Sequence, residues 1–256
     1  MQFTDKVVLI TGAGSGIGAA TARRFARLGA FLVLHGRNKV NLEKVAGECV
    51  QVNANKPLVL TAELTNDSDV KALIDSIIDH YGRLDVLVNN AGILEIGTIE
   101  TVSLEQYDNA MNTNMRSLYY LTMLAVPLLI TSKGNIVNVS SIAGLRSFTG
   151  ILPYALSKAC VDQFTRCVAL ELAAKGVRAN SVNPGVIITD IHVKGGMSED
   201  EYEAYLEKCK TTHPLGRVGL LSEVVSTITF LASQDASNIT GACIPVDGGK
   251  HALCPR

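Results

Sequence analysis

Four consecutive apolar residues, Val7-Val-Leu-Ile10, run directly into Thr11-Gly-Ala-Gly-Ser-Gly-Ile-Gly18 and then into an alanine-rich amphipathic stretch ending at Leu28. The order strand, glycine turn, helix constrains the fold more than any other feature of the chain. A run that is apolar at every position reads as a strand covered on both faces, and such strands belong to parallel sheets with helices on either side. Gly12, Gly16 and Gly18 let the backbone turn tightly and approach a pyrophosphate closely at the helix N-terminus, where free N–H groups and the helix dipole favour an anion. The bland alternative is an ordinary turn. The strand before it and the helix after it are the context that the phosphate-binding reading requires.

The same alternation continues along the chain. Strands are expected at Phe31–Leu34, Leu58–Thr61, Leu84–Val88, Asn135–Ser140, Arg178–Val182 and Ala242–Val246. Helices are expected at Val40–Val50, Asp67–Tyr81, Pro153–Ala174 and Glu223–Ala232, with another running from a Ser103/Gln106 capping box past Asn114 to about Ile130. That rhythm predicts right-handed βαβ units and an α/β fold with a parallel sheet. No linker or shift in composition divides the 256 residues, so residues 1–256 read as one domain. Asn89-Asn-Ala-Gly92 follows the fourth strand, at the carboxyl edge where such sheets bind ligands. Residues 190–216 differ, being polar and glycine-flanked, with Tyr202 and Tyr205 on a short helix. They read as a candidate substrate lid or an ordinary surface excursion.

A net charge of −1 with 18% charged residues leaves no basic footprint for nucleic acid. The N-terminus lacks a basic lead and cleavage site, so no signal peptide is expected. The apolar run Leu118–Ile130 is short for a bilayer and contains Pro127, which favours a buried helix over a membrane span. Cys49, Cys160, Cys167, Cys209, Cys243 and Cys254 form no CxxC pair, as expected of reduced thiols in a cytoplasmic protein. Cys160 and Cys167 read as core or interface packing.

The chemistry is carried by Ser141 and by Tyr154-Ala-Leu-Ser-Lys158. Tyr154 and Lys158 share one helix face, where an ammonium beside the phenol favours phenolate and lowers the tyrosine pKa. Ser141, at the end of the Ile136–Val139 run, can offer a hydroxyl to the same carbonyl oxygen, which is what acid-catalysed carbonyl reduction needs. Asn114, polar within an apolar helix, is by itself either a satisfied core amide or a functional group.

Thr11-Gly-x3-Gly-x-Gly18, Asn89-Asn-Ala-Gly92, Asn114, Ser141, Tyr154-x3-Lys158, Pro184-Gly185 with Thr189, and Val246-Asp-Gly-Gly249 occur in that order. On these motifs the chain closely resembles the short-chain dehydrogenases/reductases from Lys6 to about Gly249. The resemblance implies a single-domain, Rossmann-type, doubly wound α/β fold whose parallel sheet has about seven strands and helices on both faces. It implies an NAD(P)-dependent oxidoreductase in which Tyr154 is the general acid and base and Ser141 positions the substrate oxygen. Lys158 would also hold the nicotinamide ribose, and Asn114 a water of the proton relay. No metal is implied. Ser140 is the rival serine, but Ser141 has the family's spacing of thirteen from Tyr154.

By the same resemblance Gly12, Gly14, Ser15, Gly16, Ile17, Gly18, Asn90, Ala91, Gly92, Pro184, Gly185, Ile187 and Thr189 line the cofactor, with Glu63 and Leu64 at the adenine. Relatives commonly have Asp where this chain has Glu63. NAD-preferring relatives carry Asp where this chain has Gly36, and Arg37 beside it could hold a 2′-phosphate. That implies a preference for NADP(H), with NAD(H) possible. Ser15 stands where some NADP-dependent relatives have a basic residue; His35 and Lys39 are nearby. Leu94, Ile96, Ile142, Leu145, Phe148, Leu152, Val186 and Ile191 fall around the family's substrate pocket, an apolar set that points to a lipophilic ketone or alcohol such as a steroid, terpenoid or aromatic carbonyl. The alternatives are a 3-oxoacyl-carrier-protein-type reductase, with Lys133 and Lys175 as its basic patch, and a non-catalytic dinucleotide-binding scaffold or sensor. Two apolar helices, Tyr107–Ile130 and Tyr154–Ala174, pair across two-fold axes in this family, which implies a homotetramer, then a dimer.

Overall fold

The computed structural model describes residues 2–253. Seven strands, β1 (Val7–Ile10), β2 (Phe31–Gly36), β3 (Leu58–Thr61), β4 (Val86–Asn89), β5 (Asn135–Val139), β6 (Arg178–Pro184) and β7 (Cys243–Val246), lie in the order β3-β2-β1-β4-β5-β6-β7. Every neighbouring pair is parallel. The order reverses between β1 and β4, and at that switch point the carboxyl ends of the strands open a crevice.

Alternate residues of β1 feed two cores. Val8 and Ile10 pack with Phe25, Leu34 and Ile228 on one face. Val7 and Leu9 pack with Leu73, Leu121 and Leu172 on the other. Each such buried side chain contributes roughly 1.5–3 kcal/mol, so helices on both faces are what make an all-apolar strand stable. The first face is covered by α1 (Gly16–Arg27), α2 (Lys39–Val50) and a late helix, Leu221–Ala232; the second by α3 (Asp67–Tyr81) and the helices that follow it.

The chain departs from expectation at several boundaries. β2 runs on to Gly36, whose ladder partner is Thr61, and β6 runs on to Pro184, opposite Val246. Both strands are lengthened by neighbours distant in sequence. The helix expected from Ser103 to Ile130 is broken into α4 (Leu104–Met111), a π-helical seam (Asn112–Arg116) and α5 (Ser117–Ser132). Its capping box forms as expected, Ser103 Oγ accepting from Gln106 N and Gln106 Oε1 from Ser103 N, both at 3.1 Å. By length and hydropathy the 29-residue rod Leu104–Ser132 could cross a bilayer. Here it lies against α3 and against α6 (Leu152–Ala173). Residues 190–216 hold two helices, α7 (Ile191–Lys194) and α8 (Glu199–Thr212), before the Leu221–Ala232 helix, α9.

Candidate active site

The glycine turn is built by positions that need positive φ: Gly12 at 64° and Gly16 at 51°. Asn90 holds it to the end of β4. Its side chain donates to Thr11 O (2.9 Å) and Gly12 O (3.2 Å), while the N–H groups of Asn90 and Ala91 donate to Thr11 Oγ1 (2.9 and 3.0 Å). Gly12, Gly14, Ser15, Gly16 and Ile17 line a cleft of about 1380 Å³ together with Asn90, Ala91 and Gly92. Gly18 does not. A Cβ there would run into Gly12 O and the Asn90 amide, so Gly18 serves close packing of α1 against the turn and not the lining. A glycine-rich cradle whose backbone can be approached this closely at a helix N-terminus fits a dinucleotide pyrophosphate.

One end of the cleft, where the adenosine is expected, is lined by Gly36, Arg37, Glu63 and Leu64. Arg37 and Glu63 face each other at 3.7 Å, both well exposed. Burial pushes the His35 imidazole below its ordinary pKa, and its Nε2 lies 3.1 Å from Ala62 O, so it is a neutral part of the wall. At the other end Pro184, Gly185, Ile187 and Thr189 line the cleft, with Thr189 packed against the position a Gly16 side chain would take.

Between them stand Ser141, Tyr154 and Lys158. Ser141 caps a short 3-10 turn, its Oγ accepting from Ala143 N at 3.1 Å, and it also hydrogen-bonds the Tyr154 phenol. Lys158, buried one turn beyond Tyr154, donates to Val139 O at 2.9 Å and sits 5.7 Å from the Tyr154 ring centre. The expected lowering of the phenol pKa is not met. Burial pushes Tyr154 up, against the Ser141 hydrogen bond, and pushes Lys158 down to about 8, against the pull of Asp162. Desolvation disfavours both charged forms at once and is the largest cause for each. Asn114 lies in the π seam behind the cleft, fully buried. It accepts from Ile93 N (2.8 Å) and donates to Ile93 O and Ser157 Oγ (both 3.0 Å). Gly92 is the spacer: a Cβ on it would sit 3.1 Å from Asn114 Oδ1 and 3.5 Å from Lys158 Nζ.

Of the apolar set, Leu94, Ile96, Ile142, Phe148, Val186 and Ile191 line the cleft, whereas Leu145 and Leu152 do not. The turn closed by Leu145 N to Ile142 O carries Leu145 off the wall, and Ile151 takes the place expected of Leu152. Lys133 and Lys175 lie two and three residues before β5 and β6, which puts them at the amino edge of the sheet, away from the cleft.

Two groups of residues escaped the sequence. Asp162, buried in α6, accepts from Asn183 Nδ2 at 2.8 Å and Ser181 Oγ at 3.0 Å; Asn183 in turn donates to Ser141 O at 2.9 Å, fixing the serine's peptide. A carboxylate one turn after Lys158 was the available signal. His192, Lys208 and Lys250, which the sequence does not single out, line the cleft beside Tyr205 of the candidate lid. Among the described residues no cluster has metal-ligand character. Cys160 and Cys167 are exposed on α6 and thus not core; Cys254 lies outside the described residues.

A family model described as "Enoyl-(Acyl carrier protein) reductase" matches residues 12–251. A crystal structure of a Caenorhabditis elegans short-chain dehydrogenase/reductase with cofactor superposes with a TM-score of 0.93 at 32% identity, over 99% of this chain and 98% of that one. The chain belongs to the short-chain dehydrogenase/reductase family. Curated members of that family similar to it include the 3-oxoacyl-[acyl-carrier-protein] reductase FabG of Thermotoga maritima, 39% identical over 97% of this chain and 99% of that protein. Another is the cyclohexanol dehydrogenase of Acinetobacter sp. (strain SE19), 38% identical over 96% and 95%. As a short-chain dehydrogenase/reductase, the chain binds a nicotinamide dinucleotide and interconverts a carbonyl and a secondary alcohol.

Proposed function

We propose that this enzyme reduces a lipophilic ketone, with NADPH preferred over NADH. The observation that carries the proposal is the convergence of Ser141, Tyr154 and Lys158 at the floor of a cleft walled by Leu94, Ile96, Ile142, Val186 and Ile191. The cofactor, when bound, supplies or accepts the hydride. Tyr154 gives its proton to the carbonyl oxygen, Ser141 Oγ donates a second hydrogen bond to that oxygen, and Lys158 stabilises the phenolate left behind. Asn114 holds the Ile93 peptide that borders the site. Arg37 would take the 2′-phosphate, and residues 190–216 would close over the substrate as a lid, tied down by Tyr202 Oη donating to Thr189 O at 3.0 Å.

A binding-only scaffold has no use for all four polar residues together. Carrier-protein reduction is favoured by the Thermotoga relative's name but loses the Lys133 and Lys175 patch. Steady-state reduction of steroid and aromatic ketones, small polar oxo acids and an acetoacetyl thioester decides among these. Higher kcat/KM for the lipophilic ketones is expected; preference for the small acids or the thioester overturns the reading.

The enzyme is further proposed to be a cytoplasmic homotetramer. Tyr119 and Met123 on α5, with Leu156 and Leu170 on α6, leave an apolar face open to solvent in the single chain. Light scattering at micromolar protein should give a fourfold mass, with a twofold mass as the fallback; a monomer contradicts both.

A further inference from the structure

The charges that line the cleft do not balance. Among the described residues its carboxylates are Glu63, Glu95 and Asp190, and its cations are Arg37, Lys158, Lys194, Lys208 and Lys250. Each carboxylate is already engaged: Glu63 with Arg37 at 3.7 Å, Asp190 with Lys194 at 2.5 Å, and Glu95 accepting from Asn109 at 2.6 Å. Lys158 is committed to the catalytic tyrosine. Lys208 and Lys250 remain, neither with an ion-pair partner among the described residues.

Lys250 is the more telling of the two. It is partly withdrawn from water, and its ammonium lies 5.3 Å from the centre of the Phe148 ring, on the cleft wall. Its charge reaches inward: burial first, and then Lys250, hold His192 below the ordinary imidazole pKa. His192 is stacked on Tyr202 (5.5 Å between centres) and tilted against Tyr205 (5.2 Å), and its buried Nδ1 has no partner. Tyr205 in turn lies near enough to Tyr154 for the two phenols to interact electrostatically. Tyr154, Tyr205, His192 and Lys250 thus line one cleft, and Lys250 brings to it an ammonium with no carboxylate partner. A partly shielded ammonium without a carboxylate partner is free to form a charge-assisted hydrogen bond when an anion arrives.

We propose that this part of the cleft receives a carboxylate borne by the substrate at the end of its apolar body away from the carbonyl, with Lys250 as its main partner and Lys208 beside it. The inference rests on the reading that the cleft reduces a lipophilic ketone. It narrows that substrate to an amphipathic one, an apolar ketone with an acidic tail.

The test uses para-acetylphenyl alkanoates with one to five methylenes and their methyl esters as probes. Two readouts are taken: kcat/KM for reduction, and affinity for the NADP-loaded protein by titration calorimetry. At the best chain length the acid should bind about tenfold tighter than its ester, as one charge-assisted contact provides. That ratio should fall to about one in Lys250→Met and survive in Lys250→Arg, with circular dichroism showing that both variants fold. Esters bound as tightly as acids at every length, or an acid preference that persists in Lys250→Met, overturn the inference. Equal turnover of acids and esters leaves the ketone reading standing and sinks only this one. Acid-selective binding with no reduction of either series does the reverse.

Discussion

Tyr154→Phe is expected to lower kcat by about 10²–10⁴-fold while leaving cofactor affinity within about twofold. In free-energy terms this is roughly 2.7–5.4 kcal/mol of barrier, the contribution of one well-placed proton donor. The structure sharpens the reason. Burial raises the Tyr154 pKa, so at neutral pH the phenol is protonated and already in the form that ketone reduction consumes. The phenolate it must become is the unfavourable partner, and Lys158 is there to stabilise it. Because burial has brought Lys158 down to about 8, its ammonium is complete well below that pH and is lost as the pH rises through it. The kcat/KM for reduction should therefore decline above about pH 8. A variant retaining near-normal kcat, or a reduction profile that climbs from pH 7 to 10, removes Tyr154 and Lys158 from these roles.

The second large effect is expected at the adenosine end. Arg37→Ala should raise KM for NADPH about tenfold and leave NADH almost unchanged. A charge-assisted bond to a 2′-phosphate contributes roughly 1.5–3 kcal/mol. Arg37 must first leave Glu63, an exposed pair that is worth at most about 1 kcal/mol. The remainder is about 0.5–3 kcal/mol, centred near tenfold at 1.4 kcal/mol per decade. Glu63 opposes the phosphate twice, by occupying Arg37 and by its own charge. Glu63→Gln should accordingly strengthen NADPH binding and not NADH binding. Equal or better kcat/KM with NADH in the unmutated enzyme shows that Arg37 is no phosphate clamp.

What could be read from the chain beforehand divides along physical lines. Val7–Ile10 and the glycine turn announced the sheet because a strand covered on both faces leaves its whole sequence apolar. Tyr154 and Lys158 were legible because their meeting is local, one helical turn apart. Asp162 shares that helix, but its partners Ser181 and Asn183 lie on β6, and nothing in the spacing of residues tells of a strand packed beneath a helix. The pKa of Tyr154 was expected to move down and moves up, since burial is a property of the whole fold and the neighbouring ammonium only of the helix. Leu145 and Leu152 were assigned to the wall by position, and a 3-10 turn and the entry into α6 turned them away. Lys208 and Lys250 reach the cleft only because α8 and the tail fold back over it.

The π seam at Asn112–Arg116 has a consequence for how this lineage can change. A π turn accommodates one more residue than an α turn, which sets everything beyond it back by about 100° around the axis relative to an unbroken α-helix. Asn114, in the seam itself, is aimed at Ile93, while Tyr119 and Met123, past it, look out to solvent. Substitutions on the outward side of α5 can therefore change what that surface meets, while Asn114 keeps its hydrogen bonds to Ile93 and Ser157 behind Tyr154.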